Sequence, residues 1–154
     1  MKHPFPPVFD NQSKILILGS FPSVRSREEG FFYGHPRNRF WQVLAAVYGE
    51  AIPTTVEEKR AFLLEHGIAL WDVIDTCEIT NSADGSIRDA VPNDLSVILR
   101  AAKIRRVYTN GRLAHTLYGK HIGSDATYLP STSPANAAWS AERLAEAWRV
   151  IRET

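Results

Sequence analysis

The chain has 154 residues, with 18 lysines and arginines against 17 aspartates and glutamates and a formal net charge of +1. This length suits one domain with a single buried core. The balanced charge does not point to a polyanionic partner, although a local basic patch is enough to bind one. The single cysteine, Cys77, excludes an internal disulfide and any zinc or iron–sulfur site built from several cysteines.

No segment has the long apolar run of a signal peptide or a membrane span. We therefore expect a cytoplasmic protein whose single domain covers residues 1–154. Residues 1–13 contain three prolines and are expected to form an extended N-terminal segment. Within that segment, Phe5, Val8 and Phe9 are expected to pack on the edge of the sheet.

The apolar run at residues 15–18 predicts a strand over residues 14–18 that is buried on both faces of a parallel sheet. After Gly19, residues 20–38 (the first site loop) are turn-forming and polar, with interleaved aromatics. We do not expect this loop to contribute to the core. Ligands of open α/β sheets bind beyond the carboxyl ends of the strands. The first site loop is therefore predicted to form the active site.

The rest of the chain alternates helical and strand patterns. Strands are predicted at residues 68–74, 104–109 and 126–129. Helices are predicted at residues 38–48, 55–67, 94–102, 113–118 and 141–152. The first of these helices ends at Gly49, the second begins with a capping box, and the third is capped by Asn93 or Asp94. Residues 75–93 are predicted to be a long functional loop. Residues 130–139, PSTSPANAAW, form a second site loop. Four strands alternating with helices predict a three-layer α/β/α sandwich around a mostly parallel four-stranded sheet.

The two site loops resemble the paired motifs of the uracil-DNA glycosylase superfamily. GSFPS and GHPRNRFW follow the first strand, and LPSTSPANA follows the last. The HP-x-NRFW segment resembles the mismatch-specific branch. GSFPS and STSPAN, with WDV and the CE…GSIRD stretch between them, resemble the hypoxanthine-DNA (deoxyinosine) glycosylase family. The similarity covers about residues 14–139 and departs from the family after Cys77 and Glu78, where Ile79, Thr80 and Asn81 replace a short basic segment containing glycine.

This resemblance implies an enzyme that rotates a deaminated base out of DNA and hydrolyses its N-glycosidic bond without a cofactor, a metal or an iron–sulfur cluster. The catalytic residue carried over from the family is Asn38. An asparagine cannot accept a proton as a carboxylate does. It can only orient water through its carbonyl or donate through its amide. The mechanism is therefore expected to depend on stabilising the leaving base.

The resemblance also implies two sets of binding residues. The base pocket is expected to contain Gly19, Ser20, Phe21, Phe32, Tyr33 and Asn110. The DNA strand is expected to contact Pro22, Ser23, His35, Arg37, Arg39, Ser131, Thr132, Ser133, Pro134 and Asn136. Hydroxyl and backbone N–H groups of the second site loop are expected to bind phosphates while its small residues enter the gap left by the flipped base. The two arginines beside Asn38 are expected to hold further phosphates.

Several of these residues have a purely structural alternative. Asn38 is also suited to cap the helix after it, and the two roles can coexist. Asn110 begins an Asn-Gly turn dipeptide, so a simple turn is as good an explanation as base recognition. The hydroxyl residues at 131–133 can act as helix caps only. Asp72, at the end of a strand, is either a second catalytic group or a cap for the next loop, and we favour the structural role.

His35, a predicted DNA contact, can instead simply shape its turn. Phe40 and Trp41 should lie in the core, and Cys77 should be a small buried hydrophobe. Arg105 and Arg106 should face solvent.

The sequence therefore predicts a monofunctional, monomeric DNA glycosylase that removes hypoxanthine from deoxyinosine and whose partner is DNA containing deaminated bases. The absence of lysine from the first site loop argues against a Schiff-base lyase step. One alternative is a mismatch-specific uracil or thymine glycosylase. Another is a non-catalytic nucleotide-binding domain on the same flavodoxin-like scaffold, since a fold alone does not determine function.

Overall fold

The computed structural model of the protein describes residues 2–79 and 87–154. Its elements in chain order are β1 (Ile15–Gly19), α1 (Val24–Glu29), α2 (Phe40–Tyr48), α3 (Val56–Glu65), β2 (Ile68–Asp72), β3 (Ile74–Ile79), β4 (Ile87–Pro92), α4 (Ser96–Ala101), β5 (Arg106–Asn110), α5 (Arg112–His121), β6 (Ala126–Leu129) and α6 (Ala141–Trp148), followed by a 3₁₀ helix at Arg149–Glu153. No helix in the described ranges is long and apolar enough to cross a membrane.

The central sheet has four parallel strands in the order β2-β1-β5-β6. Ile17 of β1 lies opposite Leu70 of β2 on one side and Tyr108 of β5 on the other. Every residue of β1 and β2 is buried, as expected for parallel strands with helices on both faces. The predicted α/β sandwich around a mostly parallel four-stranded sheet is confirmed.

The helix ends that a few adjacent residues predict are confirmed. Gly49 ends α2 with a φ of 67°, in the left-handed region that glycine adopts without steric cost. Thr55 and Glu58 form the predicted capping box at the start of α3. Leu144 and Trp148 of α6 are fully buried, and the edge of the Trp148 ring meets the Phe40 ring at a centroid distance of 5.9 Å. Trp41 is in the core, as predicted, and Ile151 is also buried.

The N-terminal segment packs on the edge of the sheet, as predicted. Val8 pairs with Leu70 of β2, the edge strand, and Lys2 pairs with Thr76 of β3. Phe5 and Val8 are buried, and Phe9 is partly buried against the core.

The prediction that the first site loop stays out of the core is wrong. Phe21, Phe31 and Phe32 are all buried, and Phe32 meets Phe5 edge-on at a centroid distance of 5.1 Å. The loop also contains the short helix α1, which Ser23 caps at its start. The loop composition did not predict the buried aromatics or the helix α1. Its turn-forming residues suggested an exposed loop, whereas its aromatic side chains pack in the core.

The prediction of a single loop over residues 75–93 is also wrong. β3 and β4 form an antiparallel pair, with Glu78 opposite Arg88. Its register shifts between Ile74 and Thr76 and again between Thr76 and Glu78, so the period-two pattern that reveals a strand is interrupted. Residues 80–86, which belong to the same predicted loop, lie outside the described residues.

Two predicted boundaries also change around this hairpin. The strand predicted at residues 68–74 is divided at Val73, whose N–H donates to the carbonyl oxygen of Gly19 at 2.8 Å. The helix predicted at 94–102 begins at Ser96, where Oδ1 of Asp94 accepts from the Ser96 N–H. Asn93 is not its cap, because its side-chain amide donates to the backbone oxygens on either side of Val73.

Candidate active site

A cavity of about 350 Å³ lies at the carboxyl ends of β1, β2 and β5, within the size range of small-ligand pockets. Its lining contains these predicted site residues: Gly19, Ser20, Phe21, Pro22, Ser23, Phe32, Tyr33, His35, Asn38, Asn110, Ser131, Thr132, Ser133 and Pro134. Ser26, Asp72 and Ala135 complete it. The two site loops, far apart in sequence, therefore meet around one cavity.

The side chain of Asn38 has a determined orientation at the edge of α2. Its Oδ1 accepts from the backbone N–H of Phe40 at 2.9 Å and from the hydroxyl of Thr132 at 2.8 Å. A backbone N–H can only donate, so the atom facing it must be the carbonyl oxygen. Both lone pairs of Oδ1 are then in use. Its Nδ2 makes no hydrogen bond to the described part of the chain, which leaves the amide donors available to a ligand.

Asn110 and Thr132 form the support behind Asn38. The Thr132 N–H donates to Oδ1 of Asn110 at 3.1 Å, and Nδ2 of Asn110 donates to Oγ1 of Thr132 at 3.0 Å. The Thr132 side chain is fully buried, and its hydroxyl hydrogen goes on to Asn38. Asn110 is thus more than a turn residue. It keeps one lone pair and one amide hydrogen that could serve a bound base.

Arg39 supports the second site loop from inside the protein. Its guanidinium donates to the carbonyl oxygens of Ser133 at 2.9 Å, Asn136 at 3.0 Å and Trp139, and its backbone N–H donates to the carbonyl oxygen of Thr132. Three of the five guanidinium N–H donors therefore hold loop carbonyls, from which we infer a structural role for Arg39 in place of the predicted phosphate contact.

The remaining predicted DNA contacts divide into exposed and internal groups. Arg37 is exposed, and its guanidinium makes no hydrogen bond or ion pair within the described ranges. Its backbone N–H donates to Nδ1 of His35 at 3.0 Å, so His35 shapes this turn as predicted.

Asn136 lies outside the cavity lining and donates from Nδ2 to the carbonyl oxygen of Ser131, which makes it an internal support. No helix follows 131–133 directly; the hydroxyls of Ser131 and Ser133 accept from N–H groups two residues ahead.

Aromatic side chains form the flat part of the cavity wall. Phe21 and Phe32 are buried, and Tyr33 stacks on Phe40 at a centroid distance of 4.0 Å. Tyr33 has a φ of 53°, which is uncommon for a residue other than glycine and is found preferentially at functional sites. A flat apolar wall of this kind suits a purine or pyrimidine ring.

Residues 6–153 match the family model of the uracil DNA glycosylase superfamily. The chain belongs to this superfamily. It is 36% identical over 155 residues to a protein of Methanosarcina acetivorans named hypoxanthine DNA glycosylase, an alignment that covers 98% of each chain. It is 33% identical over 139 residues, 88% of each chain, to a protein of the same name from Methanosarcina barkeri.

The fold of this superfamily member also matches a solved structure. The solution NMR structure of a candidate uracil DNA glycosylase from Methanosarcina acetivorans superposes with a TM-score of 0.82 at 36% identity, covering 99% of this chain and 97% of the other. The similarity of the site loops to superfamily motifs is therefore accompanied by agreement of the whole fold.

The sequence did not predict that Asp72 pairs with His3 beside the candidate site. Asp72 lines the cavity, and its Oδ2 lies 2.7 Å from Nε2 of His3. Asp72 caps no backbone group in the described ranges, so the structural role favoured for it is not the observed one. An acidic residue at the end of an apolar strand was a usable signal for Asp72. No local signal marked His3, which is 69 residues away in sequence.

Cys77, Arg105 and Arg106 add no second reactive centre among the described residues. Burial raises the pKa of the Cys77 thiol, in agreement with its predicted role as a small hydrophobe. Arg105 and Arg106 are exposed, as predicted. Within residues 2–79 and 87–154, no three histidine, cysteine, aspartate or glutamate side chains come together as a metal site.

Proposed function

We propose that this protein is a monofunctional DNA glycosylase that hydrolyses the N-glycosidic bond of deoxyinosine in DNA and releases hypoxanthine. One observation carries the proposal: Asn38 lines the cavity with its carbonyl oxygen held by Phe40 and Thr132 and its amide donors unused. The names of the two Methanosarcina relatives support hypoxanthine as the base.

The flipped base would occupy the cavity, with its plane against the aromatic wall. Deoxyinosine pairs weakly, so extracting its base from the duplex costs less than extracting a correctly paired base. Cleavage breaks the bond between C1′ and the base nitrogen, and the electron pair of that bond leaves with hypoxanthine. Water then supplies the hydroxyl at C1′ and releases a proton. Negative charge develops on the base and positive charge on the sugar, so fixed donors beside the base lower the barrier.

The orientation of Asn38 supports one of its two possible roles. Because Oδ1 already accepts two hydrogen bonds, it has no lone pair left to orient a water molecule. We therefore assign the amide hydrogens of Nδ2 to the leaving base. They stabilise the negative charge as the glycosidic bond breaks.

The DNA strand would lie across the two site loops. Arg37 is the exposed cation beside Asn38 and is assigned to a phosphate. Ser131, Ser133 and Pro134 face the same cavity and are assigned to the backbone at the lesion. Neither site loop contains lysine, so base release without strand cleavage is proposed. Both loops come from one chain, in keeping with a monomer.

A uracil or thymine glycosylase is the second candidate, because the superfamily model and the NMR homologue carry the uracil name. The test uses matched labelled duplexes that contain one deoxyinosine or one deoxyuridine, with alkali to cleave abasic sites. The wild type should release hypoxanthine faster than uracil, and Asn38→Ala should abolish release. Asn11→Ala, at an exposed position remote from the cavity lining, is the matched control and should behave as wild type.

Each other outcome has a definite meaning. Faster release of uracil would move the protein to the second candidate. Salt-sensitive DNA binding with no product from either duplex would favour the non-catalytic alternative. Full activity in Asn38→Ala would remove Asn38 from the mechanism.

A further inference from the structure

A buried histidine from the N-terminal segment reaches the edge of the cavity. His3 is 7% exposed and Asp72 is 4% exposed, and Nε2 of the first lies 2.7 Å from Oδ2 of the second. The backbone of the segment is held in place by pairing of Lys2 with Thr76 of β3. Four aromatic rings surround the imidazole, with ring centroids at 5.6 Å (Phe5), 5.7 Å (Phe21), 5.8 Å (Phe32) and 6.3 Å (Trp71).

The hydrogen bonds of His3 determine which ring nitrogen carries the proton. The backbone N–H of Phe5 donates to Nδ1 of His3 at 3.1 Å. Since a backbone N–H can only donate, Nδ1 is an acceptor and carries no proton. The proton is therefore on Nε2, which donates it to Oδ2 of Asp72. The imidazole holds one carboxylate oxygen and leaves the other to a different partner.

The second carboxylate oxygen of Asp72 has no protein partner in the described part of the chain. Asp72 lines the cavity, and its Oδ1 lies over Gly19, so close that a Cβ at Gly19 would be only 2.3 Å away. This atom is an acceptor beside the space that a base would fill.

We propose that His3 is a positioning residue of the base pocket: it holds Oδ2 of Asp72 so that Oδ1 accepts the ring N–H of a base with a lactam edge. This inference rests on the proposed glycosylase function and deepens it. Hypoxanthine carries a hydrogen on N1, next to its carbonyl, whereas adenine has a bare N1 with a lone pair. A carboxylate can only accept, so it binds the first edge and repels the second. A site built for a substrate N–H discriminates strongly against an analogue that lacks it.

The test measures single-turnover excision from the deoxyinosine duplex, the dissociation constant of the same duplex, and thermal unfolding. His3→Phe fits the aromatic surroundings but removes the donor, and we expect it to lower the excision rate by about 10- to 100-fold with little change in the dissociation constant. His3→Gln keeps a side-chain N–H donor and should recover most of that loss.

Asp72→Asn should lose as much as His3→Phe or more, although it is nearly isosteric. The His3 N–H requires the new carbonyl oxygen to face it, which turns the amide donors toward the base. The double variant His3→Phe with Asp72→Asn should be no slower than Asp72→Asn alone, because His3 acts through this carboxylate. His66→Phe is the matched control: His66 also contacts a carboxylate, that of Glu50, but its ring packs on Tyr48 outside the cavity lining.

The outcomes separate this inference from the proposed function. Wild-type rates in His3→Phe, or independent effects of the two substitutions, would overturn the role of His3 while leaving the glycosylase intact. An equal loss in His3→Gln and His3→Phe would likewise overturn it in favour of simple packing. Failure of the wild type to release hypoxanthine, with Asn38→Ala equally inactive, would instead show that the proposed function is wrong.

Discussion

Thr132 donates its hydroxyl hydrogen to Oδ1 of Asn38 at 2.8 Å, across 94 positions of sequence. This bond joins the two site loops at the proposed catalytic residue. It also sets the amide orientation from which the role of Asn38 is inferred, because it fills the second lone pair of the carbonyl oxygen.

Asn38→Asp separates the two possible functions of the asparagine. The aspartate keeps an acceptor for Phe40 and Thr132 but presents a second oxygen where the amide donors were. We expect the excision rate to fall by about 100-fold or more, as it does when one fixed donor is removed from a site of this type. Single-turnover excision from the deoxyinosine duplex measures it. An aspartate variant that remains active would mean that the residue orients water instead.

Thr132→Val tests the contact between the loops. Valine has nearly the same shape but leaves one lone pair of Asn38 and one amide hydrogen of Asn110 without a partner. The excision rate should fall by about 10-fold with DNA affinity unchanged, and unfolding free energy should drop by about 1–3 kcal/mol. Thr132→Ser keeps the hydroxyl and should retain most activity. Equal damage from serine and valine would indicate that the methyl group, not the hydroxyl, matters.

Gly19→Ala should reduce excision through crowding at the end of β1. A Cβ there would lie 2.3 Å from Oδ1 of Asp72 and 2.7 Å from the hydroxyl oxygen of Tyr33, so both cavity groups must move. We expect the excision rate to fall by about 10-fold or more while the protein remains folded. Gly119→Ala is the control, since no atom lies within 4 Å of its Cβ position and alanine favours the helix. Equal excision rates for the two variants would refute the crowding.

Arg37 and Arg39 should respond differently to substitution although they are two positions apart. In an Asn38→Ala background, Arg37→Ala should reduce the dependence of the logarithm of DNA affinity on the logarithm of salt concentration by about 0.9, the loss of one phosphate contact. Arg39→Met should leave that slope unchanged and instead lower the unfolding free energy by about 1.5–3 kcal/mol, because it removes charged donors from three loop carbonyls. A reduced slope with unchanged stability in the Arg39 variant would restore its predicted phosphate contact.

Ionisation of the Tyr48 hydroxyl should lower the free energy of unfolding at alkaline pH. Burial, with a smaller effect of nearby Tyr108, raises the pKa of Tyr48 to about 12, and its hydroxyl has no hydrogen-bond partner among the described residues. The folded form holds this proton more tightly than the unfolded chain, whose tyrosine has a pKa near 10. Stability contributed by this group is therefore complete below pH 10 and is lost as the pH rises toward 12.

The Tyr48→Phe variant should lose less stability than the wild type over that interval, as measured by urea unfolding at a series of pH values. At pH 7 it should be at least as stable as the wild type, because it removes a buried hydroxyl without a partner. Tyr118, whose pKa is also raised by burial and by Asp125, is unchanged in both proteins and cancels in the comparison. Identical alkaline profiles would contradict the assignment.

The parts of the fold that the sequence predicted well depend on short patterns. The apolar run of β1, the boundaries of β6, the capping box of Thr55 and the stop at Gly49 each depend on a few adjacent residues. The bulged pairing of β3 with β4 and the buried aromatics of the first site loop escaped prediction. In both features the apolar residues follow no regular spacing along the chain. Their burial or pairing depends on contact with another segment.

By itself, the sequence determined the α/β sandwich and the edge of the sheet where the candidate site lies, because hydrophobic periodicity and loop composition are local properties. Asn38 was indicated by the resemblance of its loop to a family motif. Only the tertiary structure decided the partners of the site residues: His3 with Asp72, Thr132 with Asn38, and Arg39 with the second site loop. These contacts join atoms 69, 94 and up to 100 positions apart. A hydrogen bond depends on distance and direction in space, which the folded chain establishes and no short stretch of sequence records.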